Sequence, residues 1–446
     1  MKVVIVGNGI AGNEVASFLR EHGNDGQIDI TIISAEKFPE YDPCSLPYFV
    51  GEEVDRNVVF RKTLDYYKDN NINLVLDNKV VSIEAQAKRV MTEKGDMFPY
   101  DSLVLAHGGS LFIPPIPGVR LDGVLSCKVL AEADKLANHK GAKAVVIGSG
   151  AIGIEAAEAL KLKGYQVSII ELLGWIMPTL FCEAAARCLE DDMRGYGIEV
   201  FTSEKVLSIE GDGAVELVKT DKREIPCDTV VVATGVVPGK PLAETAGVVC
   251  DRGILVNDRM LTNVENIYAC GDCVQTYDAC TGEGCMYQLK HNAIDQARIA
   301  ARNILGEEAV YSGAYPFARA NFFDTRAVSF GKTMKGAERI CTLDEVEVIE
   351  RRSRNGYLRL LLKDGKIIGG QAIGKVADHA GLLMGCMWRG QDIHEFIENW
   401  PKIAALGSPY PWQDRKLGQL LGLSALDAEG NKGFERVHAI LKRASR

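Results

Sequence analysis

Cys44 is the residue whose type and place most directly name a chemistry. A thiolate opens disulfides and accepts oxidising equivalents, whereas a free thiol near pKa ~8.5 is mostly protonated at neutral pH. Cys44 opens the stretch Ser45 to Gly51, which reads as a short helix with Pro47 tolerable in its first turn. Unsatisfied N–H groups and the helix dipole at such a position favour an anion, so the sequence predicts a stabilised thiolate. No second cysteine lies between Ser45 and Gly51, so the nearby pair of an intrachain redox disulfide is absent. The chemistry left to Cys44 is a mixed disulfide, a persulfide or a sulfenic acid, each reversible by reduction. The competing reading is a buried packing cysteine, a common fate of free thiols.

Electrons for that chemistry need a carrier, and two glycine motifs point to dinucleotides. Gly7, Gly9 and Gly12 follow the apolar run Lys2 to Val6, and Asn13 to Leu19 reads as a helix. A second buried strand, Asp29 to Ile33, ends near Glu36, an acid able to hold a ribose hydroxyl. Gly148, Gly150 and Gly153 repeat the spacing after Ala144 to Ile147, with a helix over Ile154 to Leu162. There Glu171 follows the strand Val167 to Ile170 directly, and the next basic residue is Arg187. That acid favours an unphosphorylated ribose, hence NADH over NADPH. In each motif the glycines permit a tight turn, backbone approach to a pyrophosphate and close packing of helix on strand. Two different dinucleotides, one a bound flavin and one a diffusible nicotinamide, carry hydride between them.

The elements that must position these residues follow in order. Thr63 to Asn70 reads as a helix, and Leu74 to Leu76, Val80 to Ile83, Arg89 to Thr92 and Met97 to Tyr100 as short strands. Leu103 to Ala106 reads as a third buried strand, ending at His107, and Pro114, Pro115 and Pro117 mark a crossing into another domain. Thr229 to Val232, Ile254 to Val256 and Ile267 to Ala269 read as strands, and Leu289 to Ile304 as a long helix. Beyond about Tyr315 the strands Val346 to Glu350, Tyr357 to Leu362 and Ile367 to Ile373 precede helices over Asp378 to Met387 and Ile393 to Asn399, an α+β pattern. The fold class is therefore α/β, with two Rossmann-like domains and a C-terminal α+β domain. Boundaries fall at 1–113 with 250–314, at 114–249 and at 315–446.

Composition sets outer bounds. With 47% hydrophobic and 25% charged residues the 446-residue chain is ordinary for a globular protein, and its net charge of −9 argues against nucleic acid as the main partner. No apolar run reaches the length of a membrane span, and twelve cysteines without a small-scaffold spacing point to a reducing cytoplasm. Cys270, Cys273, Cys280 and Cys285 have a spacing that metal sites also use, but buried packing is the reading adopted, and no metal is expected. Cys182 and Cys188, six apart on a predicted helix, share no face and read as packing too.

With these motifs placed, nearly the whole chain resembles the flavin-dependent pyridine nucleotide–disulfide oxidoreductases, most of all their single-cysteine branch. That branch holds coenzyme A disulfide, persulfide and polysulfide reductases, NADH oxidases and NADH peroxidases. The resemblance implies FAD on Gly7, Gly9 and Gly12, with Val81, Ala106 and Gly271 completing the flavin contacts. Asp272, in Tyr268-Ala-Cys-Gly-Asp, would bond the flavin's ribityl or phosphate region. It implies NADH on Gly148, Gly150, Gly153, Glu171 and Gly235, the last in Ala233-Thr234-Gly235. Glu155 matches an acid close to the nicotinamide. Cys44, in Cys-Ser-Leu-Pro-Tyr-Phe-Val-Gly, matches the redox cysteine. Tyr410, in Leu406 to Arg415, matches a tyrosine that one subunit of a homodimer places near its partner's cysteine, and His394 reads as a surface helix residue. Coenzyme A becomes an expected substrate or ligand.

The departures matter as much. Glu40 stands where the reductases carry serine, Ile10 where oxidases and peroxidases often carry histidine, and His107 where threonine is common. The first ribose acid is displaced from Ser34 to Glu36, and Asp42-Pro43 resembles the NADH:rubredoxin-type reductases. Reduction of a disulfide, persulfide or polysulfide through Cys44 is the leading expectation. An NADH oxidase, a reductase of a small electron-carrier protein such as rubredoxin, and a redox-sensing protein without turnover are its rivals.

Overall fold

A computed structural model describes residues 1–23, 26–333, 343–354, 356–393 and 395. The calls on Tyr410 and His394, and most of the helix expected over Ile393 to Asn399, lie outside these residues. The chain divides into two units, one of 1–169 with 206–315 and one of 170–205 with 316–446.

The first unit holds the first glycine-loop module and, of the second, the glycine loop, its helix and the strands named below. In the first module five parallel strands lie in the order Ile267–Ala269, Ser102–Leu105, Lys2–Val6, Asp29–Ile33, Ile72–Val75. Their β-branched runs alternate between two cores: Val3 and Ile5 pack on the side of the helix Ile10–His22, and Val4 and Val6 on the other. A parallel sheet covered on both faces needs this continuous apolar pattern. The strand order reverses about Lys2–Val6, and ligands of open α/β sheets bind outside the carboxyl ends at such a switch point. A three-stranded antiparallel sheet, Val80–Glu84, Arg89–Thr92 and Met97–Pro99, follows before the chain returns to the main sheet.

The second module repeats the plan. Lys143–Ile147 pairs parallel with Thr229–Val232, which pairs parallel with Val124–Leu125. Its antiparallel sheet is Val206–Glu210, Leu217–Thr220 and Glu224–Pro226, strands that the sequence pattern does not announce. The chain passes between modules twice, along Gly109–Leu111 and Val236–Pro238, and these pair as an antiparallel ribbon.

The second unit is built on a five-stranded antiparallel sheet in the order Phe317–Phe322, Thr325–Gly331, Lys366–Gly374, Gly356–Lys363, Glu347–Ser353. The last three strands match the expected set. The first two are a hairpin that the sequence reading did not assign. The helix Ala380–Trp388 covers one face, packing Leu383 and Met384 on Leu358 and Leu360. Cys182 caps the helix Glu183–Gly195 instead of lying on it, and its thiol sits 3.4 Å from the Tyr357 hydroxyl. Among the described residues no helix is long and apolar enough to cross a membrane.

Candidate active site

The first glycine loop joins the strand Lys2–Val6 to the helix Ile10–His22. Gly7 has φ 112°, and its N–H donates to the Ile33 carbonyl at 2.9 Å. A Cβ on Gly7 would strike the Ala106 carbonyl oxygen, and one on Gly12 would strike the Gly7 carbonyl, so neither position admits a side chain. Gly9 caps the helix with no side chain, and open space faces it. The first N–H groups of the helix are thereby left for an anion. Gly271, with φ 81°, brings its Cα against this helix start: a Cβ there would meet the Ala11 side chain at 3.1 Å. Its N–H donates to Gln296 at 2.8 Å, which fixes the turn bearing Asp272. Burial raises the Asp272 carboxyl, against the pull of Lys128. Ala106 is buried with its N–H on the Val6 carbonyl, while Val81 is exposed at a break in strand register between Val80 and Ser82.

A polar network that the sequence reading missed braces this loop. Asn13 donates from Nδ2 to the Asn8 carbonyl and to Asn8 Oδ1, both at 2.9 Å. The Tyr67 hydroxyl lies 2.9 Å from Asn13 Oδ1 and 3.1 Å from Asn8 Oδ1, and accepts the Glu40 N–H at 3.1 Å. Glu40, 3% exposed, faces Arg61 and Lys62 at 3.4 and 3.5 Å, which explains how a carboxylate replaces the expected serine. Glu36 takes the Tyr41 hydroxyl at 2.9 Å, and that hydroxyl accepts the Leu130 N–H at 3.2 Å. Burial raises the Glu36 carboxyl and the Tyr41 bond lowers it.

The second loop has the same backbone. Gly148 has φ 99°, a Cβ on it would meet the Ala233 carbonyl at 2.5 Å, and one on Gly153 would strike the Gly148 carbonyl. Gly150 caps the helix Ala151–Leu162 without a side chain. Gly235, with φ 111°, accepts the Phe112 N–H at 2.8 Å beside the ribbon. Glu155 is half-buried on that helix, and burial, with Glu158 adding to it, raises its carboxyl to about 7. Glu171, which falls in the second unit, is buried and accepts the Leu173 N–H at 2.8 Å.

Cys44 corrects one expectation. It occupies the 3₁₀ turn Pro43–Ser45, and the α-helix begins only at Leu46 and ends at Val50. The Cys44 N–H is already taken by Asp42 at 3.1 Å. Burial, then the Asp42 carboxylate, push the thiol up to about 11, with Glu155 adding to the rise and Lys290 opposing it. The helix dipole loses here because the helix is one turn long and starts two residues later, whereas a carboxylate lies next door. Lys290 completes the turn with a 2.5 Å ion pair to Asp42. No local motif signals it, since the two residues are 248 positions apart.

Cys270 and Cys273 are fully buried beside Asp272, and burial raises both thiols. Cys285 is buried and Cys280 exposed.

The glycine cradles fit dinucleotides on this chain's own geometry: the first and third glycine of each loop admit no side chain, open space faces Gly9 and Gly150, and both helices start without a capping side chain. Comparison with known proteins agrees. The family described as pyridine nucleotide-disulphide oxidoreductase matches residues 1–301. An NADH oxidase of Methanocaldococcus jannaschii is 32% identical over 400 residues, covering 84% of this chain and 88% of its own. A rubredoxin–NAD(+) reductase of Ectopseudomonas oleovorans is 33% identical over 311 residues, 69% of this chain and 80% of its own. The solved structure of a NAD-dependent persulfide reductase from A. fulgidus superposes with a TM-score of 0.83 at 32% identity, covering 89% of this chain and 79% of that one. The chain therefore belongs to the pyridine nucleotide–disulphide oxidoreductase family, and it is an enzyme that works with FAD and NADH.

Proposed function

We propose that this enzyme uses NADH to reduce a thiol-derived substrate through Cys44, with coenzyme A disulfide, coenzyme A persulfide or polysulfide as the substrate class. In this reading residues 1–113 and 250–314 form the flavin domain, 114–249 the nicotinamide domain and 315–446 a homodimer interface. Gly7, Gly9, Gly12, Glu36, Val81, Ala106, Gly271 and Asp272 contact FAD. Gly148, Gly150, Gly153, Glu171 and Gly235 contact NADH. Bound FAD supplies a two-electron link between NADH and a sulfur acceptor.

The observation that carries the proposal is the placement of Cys44. Its exposed turn precedes the helix Leu46–Val50, and Gly51 just beyond lies against Ala159 on the helix of the nicotinamide loop. Glu155 of that helix acts electrostatically on the thiol. The Cys44 thiolate attacks one sulfur of the substrate disulfide, a mixed disulfide forms, and one substrate thiolate leaves. The electron pair of NADH then cleaves the mixed disulfide, restoring Cys44 and releasing the second thiolate. The sum is NADH, a proton and RSSR giving NAD⁺ and two RSH. Lys290 holds Asp42 and offsets part of its charge beside the sulfur.

Cys44→Ser should abolish turnover with coenzyme A disulfide while the flavin still bleaches with NADH in stopped flow. Undiminished disulfide turnover would remove Cys44 from the reaction. A second reading, reduction of a small electron-carrier protein, is favoured by Asp42-Pro43 and by the raised Cys44 thiol. It predicts that Cys44→Ser keeps full activity with such a carrier.

A further inference from the structure

Arg187 is the first basic residue after Glu171 in the chain, and the second unit holds its guanidinium from both sides. Nη1 donates to Glu190 at 2.5 Å, and Nη2 donates to Glu183 and to the Gly174 carbonyl, each at 3.2 Å. Glu190 is fully buried on the helix Glu183–Gly195, and Arg194 approaches it from one turn further on, at 3.4 Å. A carboxylate so deeply buried persists only when it is paired, which fixes Arg187 in place. The contact with Gly174 leaves the helix altogether: Gly174 lies three residues past Glu171.

That loop sets the pose of the acid. The Leu173 N–H donates to Glu171 Oε1 at 2.8 Å, and the Leu173 carbonyl accepts the Ser203 N–H at 2.7 Å. Arg187 takes the next carbonyl along, so consecutive backbone groups are tied to the Glu171 carboxylate at one end and to the guanidinium at the other. Leu172 and Leu173 are 63% and 52% exposed, so hydrogen bonds rather than side-chain packing hold this stretch. An acid that takes a ribose 2′-hydroxyl also repels a 2′-phosphate. It rejects the phosphate only while it cannot swing aside, so discrimination depends on how firmly the loop is held.

We infer that Arg187 is a positioning residue for dinucleotide choice: by holding the Gly174 carbonyl it steadies the loop that fixes the Glu171 carboxylate, so that the acid takes a ribose hydroxyl and turns away a 2′-phosphate. Glu190 and Glu183 keep the guanidinium in that pose and its charge on carboxylates of its own helix. The inference rests on the assignment of Glu171 to the NADH ribose and is independent of Cys44.

Arg187→Lys isolates the loop contact, because one ammonium keeps a cation on Glu190 but lacks the second nitrogen that reaches Gly174. Full-length, flavin-loaded parent and variant are checked for melting temperature and mixed with NADH or NADPH in stopped flow. Flavin bleaching gives a dissociation constant and a limiting rate for each dinucleotide. The expected result for Arg187→Lys is NADH bound about 10-fold more weakly at an unchanged limiting rate, with NADPH not weakened, so that the preference for NADH falls about 10-fold. Equal weakening of both dinucleotides is what a merely structural role would give, and it overturns the inference, as does a parent-like preference. Glu171→Gln is run beside it. If that variant keeps the preference, the ribose assignment fails and takes the inference with it; if it alone loses the preference, the assignment stands and only Arg187 is removed. Should Arg187→Lys not fold, Arg187→Met combined with Glu190→Met replaces the buried pair by apolar chains. The same loss of preference is expected there, and its retention overturns the inference.

Discussion

The loops at Gly7–Gly12 and Gly148–Gly153 follow one backbone path and live in different surroundings. In both, the first glycine has positive φ, the third touches the first's carbonyl, and the helix is capped by a bare glycine. Around the first loop, Asn8, Asn13, Tyr67 and Glu40 interlock through side chains from distant segments. Around the second, the position matching Asn13 is Ile154, buried in an apolar helix of alanines and leucines. Glycines thus set one backbone path at both sites, and the neighbours set how firmly it is held in advance. A braced loop suits a cofactor kept through turnover, since preorganisation lowers the cost of binding. A loop followed by an apolar residue in place of Asn13 suits a nicotinamide that arrives and leaves.

Reversing the loops' roles would break this comparison most plainly. Gly12→Ala should yield protein that binds FAD on the order of 10- to 100-fold more weakly, purifying pale, because the methyl group meets a backbone oxygen that cannot move aside. Gly153→Ala should purify yellow and resist bleaching by NADH. A yellow Gly12→Ala protein that NADH fails to bleach would invert the assignment.

Tyr67→Phe sharpens it next. Losing the hydroxyl strands the Glu40 N–H and takes a donor from the Asn8 and Asn13 oxygens, so thermal or urea unfolding should show a loss of about 1–3 kcal/mol.

Glu155 tests the other side. Its carboxyl is raised to about 7, so the folded state binds a proton there that the unfolded chain has released. Stability from this group is present below the ordinary carboxylate range and declines as pH rises through about 7. Glu155→Gln should remove that decline and flatten the inflection near pH 7 in flavin reduction by NADH. An inflection that survives the substitution belongs to another group.

The smallest effect is expected at Lys290. Its pair with Asp42 is partly exposed, so Lys290→Met should slow iodoacetamide labelling of Cys44 by only about two- to fivefold, with FAD affinity unchanged. Faster labelling would show that the cation does not favour the thiolate.

The sequence carried the local rules. Apolar, largely β-branched runs announced the strands Lys2–Val6, Asp29–Ile33 and Thr229–Val232, and those expected over Leu103 to Ala106 and Ala144 to Ile147 lie at Ser102–Leu105 and Lys143–Ile147. Glycine spacing announced both cradles, because turn, close approach and helix start all fall within six residues. The strands Phe317–Phe322 and Thr325–Gly331 went unread, since nothing in their composition separates an antiparallel hairpin from the loops around it.

By itself, then, the chain determined where its two glycine loops lie and which family it joins, since these depend on neighbours a few residues apart. Tertiary structure alone decided the charge around Cys44. Asp42 sits beside it in the chain, but Lys290 and Glu155 reach it only through folding, and Coulomb interactions act through space without regard to sequence distance. The same holds for Tyr67, whose hydroxyl meets Asn8 and Asn13 across more than fifty positions of chain.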